Sequence, residues 1–206
     1  MPVPAWFSDL LEKERDGWEW PSAEQIAHLY EHYQLLERWS KKINLTSIEA
    51  GRELVIRHYC ESLFFAARLP DADAGSIADI GSGAGFPGVP IAILKPDSPV
   101  TLIESNRRKA VFLREATRGL KNVNVISDRA ENLSASYSFL VSRAVNPTEV
   151  VALVPRLAPR IGLMLGESDF DALLSVKRIA WLEPIRLPWG DRRLCVFGVS
   201  RGTSFT

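Results

Sequence analysis

From Asp79 to Gly88 the chain reads Asp-Ile-Gly-Ser-Gly-Ala-Gly-Phe-Pro-Gly, and an acid, Glu104, closes the next apolar run. Glycines this closely spaced tolerate positive φ and carry no side chain, so their backbone can approach a ligand. A short apolar run, Ile77 to Ile80, precedes them and reads as a strand, and Val89 to Leu94 can start a helix. A strand that ends in glycines before a helix presents backbone amides to a nucleotide-like molecule. The chemistry of this chain therefore turns on a cofactor.

Two cofactors fit. Gly83-x-Gly85-x-x-Gly88 satisfies the dinucleotide fingerprint, with Glu104 about 20 residues on as the ribose acid. Its register is poor, because Gly81 already ends the strand and Pro87 falls where the helix should begin. Asp79-x-Gly81-x-Gly83-x-Gly85 sits directly at the strand end. It resembles the first motif of Rossmann-like methyltransferases that use S-adenosylmethionine. Glu104 would then accept hydrogen bonds from both ribose hydroxyls. The register favours the methyl donor over a nicotinamide.

The elements that must position these residues follow from periodicity. Ser22 and Gln25 are spaced as a capping box, and Ile26, Leu29, Tyr30, Tyr33, Leu36 and Trp39 then recur on one helical face. Before them, residues 1–20 read as a short helix and a loop. Glu53 to Leu69 reads as a second amphipathic helix, followed by a linker from Asp71 to Ser76. From Ile77 onward strands and helices alternate. Strands are expected at Ile77–Ile80, Val100–Glu104, Val123–Ser127, Phe139–Ser142 and Leu163–Leu165, with helices at Arg107–Arg118 and Asn146–Leu157. That alternation predicts a parallel sheet covered on both faces. Ile179–Leu187 and Arg193–Ser200, split by Pro188-Trp189-Gly190-Asp191, read as a hairpin. The expected fold class is α/β: a Rossmann-like, mostly parallel sheet with a C-terminal hairpin, behind a helical cap. Residues 1–70 form the helical extension and 71–206 the core, as one compact domain.

Composition narrows the setting. The 206 residues hold 46% hydrophobic side chains, enough for a proper core, and 25 basic against 25 acidic groups. Such neutrality argues against a generic nucleic-acid coat protein, although a local basic patch is compatible with it. No apolar run is long enough to span a membrane, and Asp9, Glu12 and Glu14 do not suit a secretion signal. Cys60 and Cys195 lack metal-ligand spacing and fit a reduced, cytoplasmic protein. No metal site is expected.

The flanking blocks carry a closer likeness. Trp39-Ser40-Lys41-Lys42-Ile43-Asn44-Leu45-Thr46-Ser47-Ile48, Arg57-His58 and Glu61-Ser62-Leu63 precede the loop. Thr101 to Ser105, Arg108 to Leu113, Arg129-Ala130-Glu131 and Val141-Ser142-Arg143-Ala144 follow it. In this order, from about residue 22 to about 198, the chain resembles the bacterial glucose-inhibited division protein B family. Those proteins methylate guanine N7 in 16S ribosomal RNA. The resemblance implies S-adenosylmethionine as cofactor and the small ribosomal subunit or its precursor as partner. By position it implies cofactor contacts from Gly81, Phe86, Glu104, Ala130, Glu131 and Arg143, to which the loop spacing adds Asp79, Gly83 and Gly85. The chain departs from the family at Leu140 and at Leu165, where an aspartate and a lysine are usual. Glu61 stands for an aspartate, and the tail at Arg201 lacks a usual lysine. Leu140 and Leu165 bear on RNA contacts more than on cofactor binding.

Guanine N7 carries a free lone pair at neutral pH, so methyl transfer to it needs no general base, and catalysis rests on proximity and orientation. Arg129 and Arg143, at predicted strand ends on the ligand side, are the candidates for a catalytic role. N7 faces a groove too narrow for side chains in duplex RNA, so the target must be looped out or exposed in a particle. Lys41, Lys42, Arg57, His58, Arg192 and Arg193 are the candidate RNA contacts. The run from Arg107 to Lys121 adds basic charge that a solvated helix face explains equally well. Neutrality points to a monomer. The alternatives are a methyltransferase for another RNA or a protein, and a ribosome-associated cofactor-binding protein without turnover.

Overall fold

The computed structural model describes residues 2–69, 75–190 and 192–202. The expected boundary at residue 70, most of the linker and Asp191 of the expected turn lie outside them.

The N-terminal third is helical: α1 (Ala5–Lys13), α2 (Ala23–Ser40), α3 (Arg52–Leu54), a π-helical stretch (Val55–Cys60) and α4 (Glu61–Ala67). The Ser22 side chain accepts from the Gln25 N–H at 3.2 Å, and Gln25 accepts from the Ser22 N–H at 2.8 Å, so the capping box forms as its spacing predicts. The π-helical stretch places Arg57 and His58 inside what reads as one regular helix.

The remainder alternates strands β1 (Ile77–Ile80), β2 (Val100–Ile103), β3 (Val123–Ile126), β4 (Phe139–Arg143) and β5 (Arg160–Gly166) with α5 (Gly88–Leu94), α6 (Arg107–Ala116), α7 (Pro147–Ala152) and α8 (Glu167–Leu173). Strands β6 (Ile179–Trp181), β7 (Ile185–Arg186) and β8 (Arg193–Ser200) close the chain. The sheet runs β3-β2-β1-β4-β5-β8-β6, with β7 also paired to β8. The first five strands are parallel, and β8 enters antiparallel against β5. The order reverses at β1, which puts the ligand edge of the sheet at the ends of β1, β2 and β4.

Strand residues sort by parity onto two buried faces, as a covered parallel sheet requires. Ile77, Leu102, Phe139 and Val141 share a core with Phe7, Leu11, Leu29, Leu36 and Tyr59 of the N-terminal helices. Ala78, Ile80, Ile103, Leu140 and Leu163 share the other with Val150, Val151 and Phe170 of α7 and α8. Leu140 is fully buried there. Its departure from the family pattern is therefore a matter of core packing, not of an RNA contact.

Other differences have local causes. β5 begins three residues earlier than its apolar run, because Gly162 leaves room for the stacked rings of Phe65 and Phe197, 5.1 Å apart. A Cβ there would meet Phe65 at 2.8 Å. The expected strand 179–187 splits into β6 and β7 around Pro184, which has no N–H to donate to a ladder. α7 stops at Ala152, short of Pro155, which cannot continue a helix. Cys60 and Cys195 are free and buried. Burial pushes the Cys195 thiol up to about 12.

Candidate active site

The glycine loop leaves β1 and turns back under it. The amides of Gly81 and Ser82 both donate to the Ile103 carbonyl, at 2.9 and 3.1 Å, which locks the turn to β2. Gly81, Gly83 and Gly85 all have positive φ, at 70°, 56° and 92°. The glycines differ in what surrounds them. A Cβ at Gly81 would strike Val145 at 2.3 Å, and one at Gly88 would strike Leu102 and Asp79. A Cβ at Gly83 would find nothing nearer than the Gly81 carbonyl at 3.7 Å. Space is therefore open at Gly83, at the ligand edge of the sheet, and the loop there forms a candidate cofactor cradle.

Glu104 follows β2 and faces that cradle. One carboxylate oxygen accepts from the Gly83 N–H at 2.9 Å and the other from the Asn106 N–H at 2.7 Å. Asn106 in turn caps α6 by accepting from Arg108 and Lys109. The carboxylate is thus fixed by backbone on both sides, and its remaining lone pairs suit ribose hydroxyls. Asp79 has another role. It is fully buried, accepts from the Gly88 N–H at 3.1 Å, and reaches no open surface. Burial, with the charge of Glu104 adding, pushes its carboxyl up to about 7. Asp79 shapes the loop from within.

Phe86 also serves packing. Its ring is packed in an aromatic box, stacked on His58 (4.7 Å, 15°) and edge-on to His32 and Tyr59. Those ring contacts are with the N-terminal helical segments. His32 ties the same box to the loop. Its ring nitrogens lie 3.0 Å from the Ala84 carbonyl and 2.6 Å from the Tyr59 hydroxyl. A neutral ring donating to the carbonyl and accepting from Tyr59 satisfies both. Burial lowers the His32 pKa to about 4, which keeps that form. His58 bonds Thr46 at 2.8 Å. Burial, then the charges of Arg143 and Arg57, lowers its pKa to about 3. A neutral His58 gripped by Thr46 and Phe86 is part of the scaffold rather than a cationic RNA contact.

Across β1 from Glu104 lies a cluster of charge. Glu61, fully buried on α4, meets Arg143 at 3.0 Å, Arg57 at 3.5 Å and Arg193 at closer range. Burial pushes the Glu61 carboxyl up against the opposing pull of Arg143, Arg193 and Arg57. The cluster borders a cavity of about 250 Å³ that Leu165 also lines. Ala144, next to Arg143, has φ of 59°, a strained value for a residue with a side chain.

The other expected residues scatter. Ala130 and Glu131 form a 3₁₀ turn (Ala130–Asn132) after β3, on the same side of β1 as Glu104. Arg129 is exposed, and its backbone N–H donates to Asp128 at 2.7 Å. Lys41 and Lys42 are exposed at the end of α2, where Lys41 lies 3.8 Å from Glu37. Arg192 pairs with Glu167 at 3.1 Å. The basic run on and after α6 is solvent-facing at Arg107, Arg108 and Arg114, and at Arg118 beyond the helix.

A profile of the family described as rRNA small subunit methyltransferase G (GidB) matches residues 25–167. The ribosomal RNA small subunit methyltransferase G of Xanthomonas campestris pv. campestris is 37% identical over 187 residues, covering 84% of this chain and 87% of its own. The chain belongs to the GidB family. Among solved structures it resembles a ribosomal protein L11 methylase from Lactobacillus delbrueckii subsp. bulgaricus (TM-score 0.57, 11% identity, 70% of this chain and 79% of that one). It also resembles Aeropyrum pernix fibrillarin with bound S-adenosyl-L-methionine (TM-score 0.57, 14% identity, 70% and 76%). These two likenesses speak for the fold.

Membership in a methyltransferase family agrees with the methyl-donor register of the loop, and the dinucleotide reading has no further support. Two features of this GidB chain were hidden in its sequence. Glu61 reads only as a departure, although a charge inside the buried run Glu61-Ser62-Leu63-Phe64-Phe65-Ala66 already signals a needed counter-charge. His32 sits three residues after Leu29 on the apolar face of α2, and its partner at Ala84 is a backbone carbonyl that no side-chain pattern reveals. No helix of the described residues is long and apolar enough to cross a membrane.

Proposed function

We propose that this protein transfers the methyl group of S-adenosylmethionine to N7 of a guanine in the 16S ribosomal RNA of the small subunit. What carries the reading is the open cradle at Gly83 beside a backbone-fixed Glu104, in a chain that belongs to the GidB family. The cofactor supplies an electrophilic methyl group. Glu104 holds the ribose hydroxyls, the backbone of Ala130 and Glu131 reads the adenine edge, and the amides of Gly81, Gly83 and Gly85 line the methionine end. Arg143 stands past β1 toward the acceptor side.

Guanine N7 is already nucleophilic, so these residues need only bind, align and exclude water. The methylated base becomes cationic. A guanidinium held on Glu61, as Arg143 is, is kept from pressing its full charge on the ring. Lys41, Lys42, Arg192 and Arg129 are further exposed cations available to the RNA. The protein acts as a monomer in the cytoplasm, where small subunits are assembled. Its exposed large hydrophobic residues, such as Trp6, Val111 and Leu174, are dispersed along the chain among the described residues.

The test is calorimetry with S-adenosylmethionine and with NAD(H). Binding of the first alone, lost in Glu104→Ala, supports the cofactor assignment. Turnover on small subunits then separates the enzyme from a binding protein that has lost it.

A further inference from the structure

We infer that the cavity at the ends of β4 and β5 is a phosphodiester-binding site for the substrate RNA, built by Arg57, Arg143 and Arg193 around Glu61. The inference rests on the methyltransferase reading above and adds where the acceptor strand is gripped.

The cluster holds more donors than it can use. Three guanidiniums bring about fifteen N–H donors, whereas one carboxylate offers about four acceptor positions. Contact is close but poorly aligned: Arg57 Nε, Arg143 Nη1 and both Glu61 oxygens are buried without a well-formed hydrogen bond. Arg143 and Arg193 are 15% and 19% exposed at their side chains, and Arg57 is 35% exposed. All three line the 250 Å³ cavity. An ion-pair cluster built only for stability should be closed and satisfied. This one is incompletely satisfied, and its partly exposed guanidinium side chains border a cavity.

The charge balance selects the ligand. Three cations and two carboxylates, Glu61 and Asp169, line the cavity, so its sign is positive and a single monoanion balances it. A phosphodiester is a monoanion with oxygens that match the guanidinium fork. Leu165, Leu187 and Met164 supply an apolar wall, as a sugar or base edge beside the phosphate requires.

Position decides between two anions that could come here. Glu104 and the Ala130–Asn132 turn follow β2 and β3, on one side of β1. The cavity lies over β4 and β5, on the other side, and touches the loop only through Val145, which packs on Gly81. Two of its three cations come from outside the cofactor half, Arg57 from the π-helical stretch and Arg193 from β8. A nucleotide presenting its base to the methyl group from the β4 side brings its backbone to this cavity. The competing anion is the cofactor's own carboxylate.

The experiment compares wild type with Arg57→Ala and Arg193→Ala, measuring the calorimetric Kd for S-adenosylmethionine and KM for small subunits that lack the modification. Each lost charged contact is expected to raise KM about tenfold or more, to flatten the salt dependence of subunit binding, and to leave the cofactor Kd within about twofold. Unchanged KM overturns the proposal. A raised cofactor Kd with unchanged KM overturns it too and gives the cavity to the methionine carboxylate. If Arg193→Ala does not fold, Arg193→Lys keeps a charge beside Glu61 while losing the two-pronged grip, and the same KM criterion applies. A wild type that binds cofactor but methylates no subunit fails the underlying reading. A wild type that methylates, beside variants with unaltered KM, fails this inference alone.

Discussion

The two sides of β1 are built on opposite principles. On the β2 side the glycine loop and Glu104 are held by short backbone hydrogen bonds, and both Glu104 oxygens have a backbone N–H partner. On the β4 side Glu61 and three arginines crowd together with poor alignment, surplus donors and a strained Ala144. The first is pre-organised for a small molecule of fixed shape. The second resembles a site awaiting a charged partner that completes it. On the proposed function, one half of the molecule would fix the reagent and the other would admit the acceptor.

Breaking each side should give a different signature. The largest effect is expected from Glu61→Gln, which leaves buried guanidiniums without their counter-charge. Loss of one partner from a buried ion pair costs about 3–5 kcal/mol, so chemical denaturation should show a drop of that order, with the cofactor Kd of the folded fraction nearly unchanged. Glu104→Ala should do the reverse. Two hydrogen bonds to a charged acceptor contribute about 1.5–3 kcal/mol each, so calorimetry should show cofactor affinity reduced by a hundredfold or more with a smaller loss of stability.

Gly83→Ala sharpens the contrast within the loop. Its Cβ meets only the Gly81 carbonyl, at an ordinary 3.7 Å, so the cost is that of the left-handed backbone, about 1–2 kcal/mol, and the methyl group projects into the cradle. A cofactor affinity lower by about tenfold in a folded protein is the expected result. Gly88→Ala, by contrast, drives a Cβ into Leu102 and Asp79 and should chiefly destabilise the protein in a thermal melt.

The smallest effect concerns pH. His32 and His58 are buried neutral, with pKa values lowered to about 4 and about 3. The unfolded chain binds protons on them first, so their contribution to stability is lost as pH falls below about 6.5. Asp79, raised to about 7, acts in the opposite sense: its contribution is present at low pH and is lost as pH rises through about 7. Asp79→Asn should therefore lose stability more steeply than wild type on acidification, by up to about 1.4 kcal/mol per pH unit in urea melts. The imidazole NMR signals of His32 and His58 should stay at their neutral positions as pH falls from about 7.5 to about 5.

The same contrast explains what the sequence made legible. The reagent side is local: Asp79 to Gly88 is one unbroken stretch, and Glu104 ends the very next strand, so spacing alone exposed it. The strands themselves were readable because β1, β2 and β4 are largely apolar runs buried on both faces. The acceptor side is assembled from residues 57, 61, 143 and 193, which meet only after β8 has inserted beside β5. Spacing carries no trace of such a meeting. The packing of Asp79 and Phe86 was hidden for a related reason, since a residue type that suits a ligand also suits the packing that shapes the loop. The ion pair of Arg143 was hidden too, because its partner Glu61 entered only as a substitution for aspartate.

The most direct test is a methyl-transfer assay with labelled S-adenosylmethionine on small ribosomal subunits that lack the modification, followed by mapping of the labelled base. The account predicts label in 16S rRNA as N7-methylguanine, abolished in Glu104→Ala. Label at another atom, in ribosomal protein, or in no component of the subunit would contradict it.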